Sequence, residues 1–351
     1  MIATITLGAS FAPLAVHLSP LLVAAPTCTG AYARTRFTAG VALIASAAVV
    51  VVDRNDGLLH SPLMPIHIGA VLAVSAFVLV SRAVHDRDLR ELAQVRAVAE
   101  AAQRVLLRPV PGELGPLRVA SMYRAATAHA LVGGDLYAAS RTGDATRILI
   151  GDVRGKGLPA IDDASAVLSA FREAAHRRCT LPELAASLER SVRRHLGELA
   201  DRDPHSAERF TTALLIELAD DEDEVKTVSC GHPPPLLHHD GQVNPLPMAQ
   251  PAPPLGLAGD TPDAFHLDVA AFGCGDTLLL YTDGLAEARN STGDFFPVLD
   301  RAATWDWGYP SRLLHQVSCD IDSYAGRHLK DDLALLAVHR PPRPDRFGDA
   351  P

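Results

Sequence analysis

Four aspartate motifs stand where an apolar run meets a turn. Asp135 ends Gly133-Gly134-Asp135, and Asp152 follows Ile148-Leu149-Ile150-Gly151. Asp283 follows Thr277-Leu278-Leu279-Leu280-Tyr281-Thr282, and the doublet Asp331-Asp332 precedes Leu333-Ala334-Leu335-Leu336. One aspartate in such a place is more often a turn former or helix cap than a ligand, because its short carboxylate bonds nearby backbone. Several of them at strand ends, some beside glycines, ask for more. Converging carboxylates lose hydration and repel one another, so they need cations between them. Oxygen donors without His or Cys suit Mg²⁺ or Mn²⁺. Two such ions about 3.5–4 Å apart are a device for displacement at phosphorus.

The turn after Asp152 reads Val153-Arg154-Gly155-Lys156-Gly157, which invites comparison with a nucleotide P-loop. That motif needs a glycine where position 150 is Ile, and Ser or Thr where position 157 is Gly. The P-loop reading fails on both counts. Arg154 and Lys156 remain as cations able to bind phosphate. His232, in Gly231-His232-Pro233-Pro234-Pro235, is read as a backbone-bonding structural histidine in preference to a catalytic one. The acidic run at 220–224 reads as a solvated hairpin tip.

The elements that position these residues follow from period and punctuation. Strands are expected near 117–125, 135–142, 145–151, 210–219, 224–230, 275–282 and 331–339. Helices are expected near 157–176, 181–197 and 310–326. Residues 86–107 have helical spacing, with Leu89, Leu92, Val95, Ala99, Ala102 and Leu106 three or four apart and Pro109 and Pro111 ending the run. Two readings stay open there: a helix packed on its own domain, and a short parallel dimer seam.

Composition divides the chain. The average of 48% hydrophobic and 21% charged residues hides three uncharged stretches, 1–33, 37–52 and 57–81, followed by sequence of ordinary soluble character. A span needs about 20 apolar residues, so we expect about three transmembrane helices within residues 1–85. A linker helix over 86–110, a catalytic domain over 111–340 and a disordered Pro-rich tail over 341–351 complete the expected organisation. Arg34 and Arg36 after the first stretch, and Arg82, Arg87 and Arg90 after the third, place the catalytic domain in the cytoplasm of a multi-pass plasma-membrane protein. The spans carry no internal charge, which argues against an ion or proton path. The formal net charge of −9 gives no electrostatic reason to bind nucleic acid. The five cysteines lie far apart without zinc spacing and read as reduced thiols.

Taken together, these motifs resemble the PPM-type metal-dependent serine/threonine protein phosphatases, in their SpoIIE-like bacterial branch. The resemblance rests on Gly133-Gly134-Asp135, Gly151-Asp152-Val153, Cys230-Gly231-His232-Pro233-Pro234-Pro235-Leu236, Pro254-Leu255-Gly256-Leu257, Thr282-Asp283-Gly284 and Asp331-Asp332. It implies an α+β fold, an α-β-β-α sandwich of two antiparallel sheets flanked by helices, here preceded by the transmembrane module. It implies two Mn²⁺ or Mg²⁺ ions, with Asp152 bridging, the Val153 carbonyl completing one site, Asp283 and Asp331 on the second metal, and Asp135 acting nearby through water. Asp332 is the alternative to Asp331. The implied reaction is hydrolysis of phosphoserine or phosphothreonine on a regulatory protein of the anti-anti-sigma type. The alternative is a catalytically weak docking or sensor module of the same fold. The chain departs from relatives at Ala138, Ala334 and the loop cations Arg154 and Lys156, none of which removes a carboxylate from the set.

Overall fold

The computed structural model describes residues 35–55, 63–126, 133–201, 206–326 and 329–342. The chain divides into two compact units, Met1–Val95 and Arg96–Pro351.

In the first unit lie helix α1 (Thr35–Asn55) and the greater part of helix α2 (Leu63–Leu106). The expected third span and the expected linker are one unbroken helix of 44 residues. No Gly or Pro falls between Val71 and Leu106 to break it. Among the described residues one helix is long and apolar enough to cross a membrane, over Ile68–Leu106. The first expected span lies outside the described residues, as does most of the tail. Leu89, Leu92 and Val95, the first half of the linker's apolar row, are exposed.

The second unit is a two-sheet sandwich. One sheet has the order β1 (Glu113–Leu114), β2 (Leu117–Arg124), β11 (Leu333–His339), β10 (Thr277–Tyr281), β7 (Leu236–His239), β8 (Gln242–Pro245). The other runs β3 (Leu136–Thr142), β4 (Ala145–Val153), β5 (Thr211–Ala219), β6 (Glu224–Cys230), β9 (Asp268–Ala271). All strand pairs within the two sheets are antiparallel. Helices α3 (Leu158–Ala174) and α4 (Leu181–Leu199) cover the second sheet; short α5 (Asp283–Ala286) and α6 (Val298–Ala302) follow, and α7 (Pro310–Ala325) covers the first.

Why β10 and β11 read as continuous apolar runs is now plain, since both faces of each are buried. Leu278, Leu280, Ala334, Leu336 and Val338 join the core between the sheets. Their alternates Leu279, Tyr281, Leu333, Leu335 and Ala337 join a second core under α7, with Trp305, Trp307, Leu313 and Val317. The period of two sorts one run of residues into two cores. Helix α4 opens with a capping box between Thr180 and Glu183, which satisfies otherwise unpaired amides at its first turn. The end of α2 packs on α3 through Ala99 and Ile161, with Ala102 and Leu106 against them. Arg172 donates to the Leu106 carbonyl at 2.7 Å, closing the helix terminus.

The strands β1, β7, β8 and β9 were not anticipated. Each is 2–4 residues long, too short to show a period, and is defined by the neighbour it pairs with.

Candidate metal centre

Register brings the aspartates together. In one sheet Leu136 pairs with Gly151, so Asp135 and Asp152 lie at the same end of β3 and β4. In the other Tyr281 pairs with Leu335, so Asp283 and the doublet 331–332 share an end of β10 and β11. Ligand atoms of Asp135, Asp152 and Asp283 lie within 4.8 Å of one another. Thr282 ties the sheets at this point. Its hydroxyl donates to Asp135 at 2.7 Å and accepts from the Ala334 amide at 2.9 Å.

Two glycines permit the close approach. A Cβ at Gly284 would sit 1.9 Å from the Asp332 carbonyl oxygen, and one at Gly134 would sit 2.5 Å from the Val153 carbonyl oxygen. Only glycine lets these backbone segments pass so near each other. Val153 is buried at the end of β4, and its amide donates to the Gly134 carbonyl at 3.2 Å.

The acids perturb one another. Burial first, then the Asp152 charge, raises Asp135 well above the carboxylate range, against the pull of the Thr282 hydroxyl. Burial, then the charges of Asp283, Asp331 and Asp332, pushes Asp152 up to about 7. Burial and Asp331 raise Asp283 as well. A divalent ion is the group that relieves such repulsion, and an all-oxygen donor set fits Mg²⁺ or Mn²⁺.

The two members of the doublet differ sharply. Asp332 is 2% exposed and spends both oxygens on the protein: Oδ1 accepts from the Ala126 amide and Oδ2 from the Gly133 amide, each at 2.7 Å, and Tyr123 donates its hydroxyl to Oδ2. Asp331 is half-exposed, and its Oδ1 meets Lys156 Nζ at 3.0 Å. Arg154, the other loop cation, donates to the Glu208 carbonyl at 2.8 Å and lies over the Phe210 ring. A small cavity of about 110 Å³ opens beside Asp331, lined by Gly284, Glu287, Leu329 and Lys330 among others.

Gln103 and Tyr123, which the sequence did not single out, and His232, which it marked as structural, complete the setting. Gln103, buried on α2, donates to the carbonyls of Gly133 and Asp135 at 3.4 Å, and its Oε1 lies 2.7 Å from the Tyr123 hydroxyl. Its signal was present: a polar residue four after Ala99, in the apolar row. His232 is buried. Its Nε2 donates to the Tyr281 carbonyl at 3.1 Å, and its Nδ1 lies 3.2 Å from the Thr212 hydroxyl. That hydroxyl lies 3.3 Å from both the amide and the carbonyl of Asp152. The ring therefore links β10 of one sheet to β5 of the other, directly behind two of the acids.

A family model described as Stage II sporulation protein E (SpoIIE) matches residues 142–341, which include Asp152, Asp283 and the doublet but begin after Asp135. Among solved structures, the RsbU and RsbW domains of a Mycobacterium tuberculosis protein are similar at 27% identity and TM-score 0.51, covering 65% of this chain and 61% of that one. The PP2C phosphatase domain with a fragment of the regulatory domain of SpoIIE from Bacillus subtilis matches at 17% identity and TM-score 0.52, covering 64% and 62%. The SiaA-PP2C domain of Pseudomonas aeruginosa matches at 19% identity and TM-score 0.54, covering 71% and 97%. The chain thus spans about three fifths of the length of the first two. The fold they share with it is that of the PP2C-type phosphatases.

Proposed function

The chain belongs to the stage II sporulation protein E (SpoIIE) family, and from that membership we propose that it hydrolyses phosphoserine or phosphothreonine on a regulatory protein, using two Mn²⁺ or Mg²⁺ ions. The observation that carries the reading is the convergence of Asp135, Asp152 and Asp283 within 4.8 Å, at strand ends of both sheets. The ligand set we assign is Asp152, the Val153 carbonyl, Asp283 and Asp331, with Asp135 alongside. Asp331 takes precedence over Asp332, because Asp332 already has both oxygens engaged by amides and Tyr123.

Bound divalent ions would supply charge for the phosphoryl oxygens and a water acidic enough to attack phosphorus. The protein's own part is to hold these carboxylates in place. Thr282 orients Asp135, His232 and Thr212 brace the strands behind Asp152 and Asp283, and Asp332 pins the chain at Ala126 and Gly133. Of the two loop cations we assign phosphate binding to Lys156, since Arg154 is engaged by Glu208 and Phe210.

We assign as substrate a phosphorylated regulator of the anti-anti-sigma type. A solved relative that joins an RsbU domain to an RsbW domain supports this class of partner. The apolar helix within residues 63–106 supports a membrane anchor in contact with lipid, and the arginines after it support a cytoplasmic, multi-pass arrangement. The exposed row of Leu89, Leu92 and Val95 supports a homodimer through the linker.

The test is phosphate release by the full chain, solubilised in mild detergent, from a phosphoserine protein with Mn²⁺, Mg²⁺ or EDTA. Release with metal, its loss in EDTA and its loss in Asp152→Asn are expected. Metal-independent release, or none by a folded protein on any phosphoprotein, would overturn the reading.

A further inference from the structure

Lys156 sits in the turn between β4 and α3, flanked by Gly155 at φ +122° and Gly157 at φ +86°. A Cβ at Gly155 would meet nothing within 4 Å, so the turn stands in open space. Both backbone conformations are ones that glycine reaches readily, and they leave the residue between them free to be re-aimed.

The lysine's partner is one of the proposed metal ligands. Nζ lies 3.0 Å from Asp331 Oδ1, and the two side chains are 41% and 45% exposed. The same oxygen accepts from the Asp332 amide at 3.0 Å. Among the described residues Lys156 is the cation paired with Asp331.

Such a contact is weak enough to give up, because an exposed ion pair gains little in water. A divalent ion on Asp331 would put like charge beside the ammonium, and a phosphoryl group with two negative charges is a stronger partner than one carboxylate. Lysine suits an exchange of partners, being a compact point charge with rotatable donors on a flexible stem.

We propose that Lys156 is a tethered stand-in cation, which holds Asp331 until a divalent ion takes that carboxylate and then swings on its flanking glycines to the substrate's phosphoryl group. The proposal rests on the phosphatase reading above and adds to it a competition between side chain and metal. It makes one residue weaken metal binding and strengthen catalysis, two effects that a simple phosphate-binding lysine would not combine.

The experiment measures Mn²⁺ binding by calorimetry and phosphate release from a phosphoserine peptide, both on the detergent-solubilised full chain. Lys156→Gln is expected to bind Mn²⁺ about 1.5- to 5-fold tighter, the range of an exposed pair removed from competition. The same variant is expected to lose about tenfold or more in kcat/KM, the scale of one hydrogen bond to a charged group. Arg154→Gln removes a neighbouring charge without touching Asp331, and its Mn²⁺ affinity is expected to match wild type. Unchanged or weaker Mn²⁺ binding by Lys156→Gln, or equal tightening by Arg154→Gln, would overturn the exchange while leaving the phosphatase standing. A wild-type chain that binds Mn²⁺ yet releases no phosphate would overturn the phosphatase reading and the exchange with it.

Discussion

The two ends of the sandwich carry charge in opposite ways. At the end away from the aspartates, each buried or half-buried arginine meets an acid or carbonyls, and the acidic run 220–224 lies largely in solvent. Arg141 and Asp220 form a two-pronged pair; Arg147, 6% exposed, meets Glu217 at 2.7 Å and donates to the carbonyls of Ala175, Arg177 and Cys179. Arg340 donates to the carbonyls of Glu222 and Ala219. At the other end, Asp135, Asp152 and Asp283 crowd together with Lys156 at their rim. The same strands supply both ends, so the contrast does not come from the fold. Matched charges hold the hairpin ends in place. Unmatched ones are a standing cost that a proton or an added cation must relieve, and that difference separates scaffold from candidate site.

The comparison is broken most severely by exchanging one residue at each end. Asp152→Asn is expected to lower metal-dependent phosphate release beyond the roughly 100-fold typical of outer-sphere partners. Without metal, thermal unfolding should show it at least as stable as wild type, because a repelling charge is gone. Arg147→Met should do the reverse. Leaving Glu217 and three carbonyls without their donor is expected to cost about 3–5 kcal/mol in urea unfolding. A stable Arg147→Met protein, or an unstable Asp152→Asn protein, would collapse the distinction.

A middle test concerns the brace between the ends. Burial holds His232 down at about 4, so its folded form is neutral where a free histidine begins to charge near 6.5. Its contribution is therefore present above about pH 6.5 and is lost as pH falls toward 4, to a total of about 3 kcal/mol. Between pH 7 and 5 the urea midpoint of wild type should fall relative to that of His232→Gln, the opposite gain from protonating Asp135 and Asp152 being common to both proteins. Tyr123→Phe is expected to weaken Mn²⁺ binding roughly tenfold by loosening Asp332, and stability by about 1 kcal/mol; calorimetry and urea unfolding check the pair of effects. The smallest change should come from Arg177→Ala. That pair with Glu173 is exposed and spans only four residues across the end of α3, so less than about 0.5 kcal/mol is expected.

Much of this was readable in advance, for reasons that particular elements show. Strands β2, β3, β4, β5, β6, β10 and β11 carry runs long enough to reveal themselves, and the aspartates mark one end of β3, β4, β10 and β11. Helix α2 was expected as separate pieces because a shift from apolar to charged residues near Arg82 looks like a boundary. Backbone hydrogen bonds run within the helix and ignore what its side chains face, so the helix continues through the shift. The short strand β7 could not be found alone, since Leu236–His239 is extended because β10 lies beside it.

The chain's order of residues determined by itself that hard-cation chemistry was available, because no other ligand type accompanies the aspartates. It also determined which strands are buried on both faces, through unbroken runs such as Leu333–Val338. Only the tertiary structure gave Asp331 and Asp332 different surroundings. The two are neighbours of one chemical type, and no local rule distinguishes them. Their difference comes from distant partners: Tyr123, Ala126 and Gly133 close around one carboxylate, and Lys156 reaches the other from a separate turn. Contacts between residues some 200 positions apart exist only after β2 has paired with β11, and the Lys156 contact only after the second sheet has stacked on the first; pattern along a chain carries no record of them.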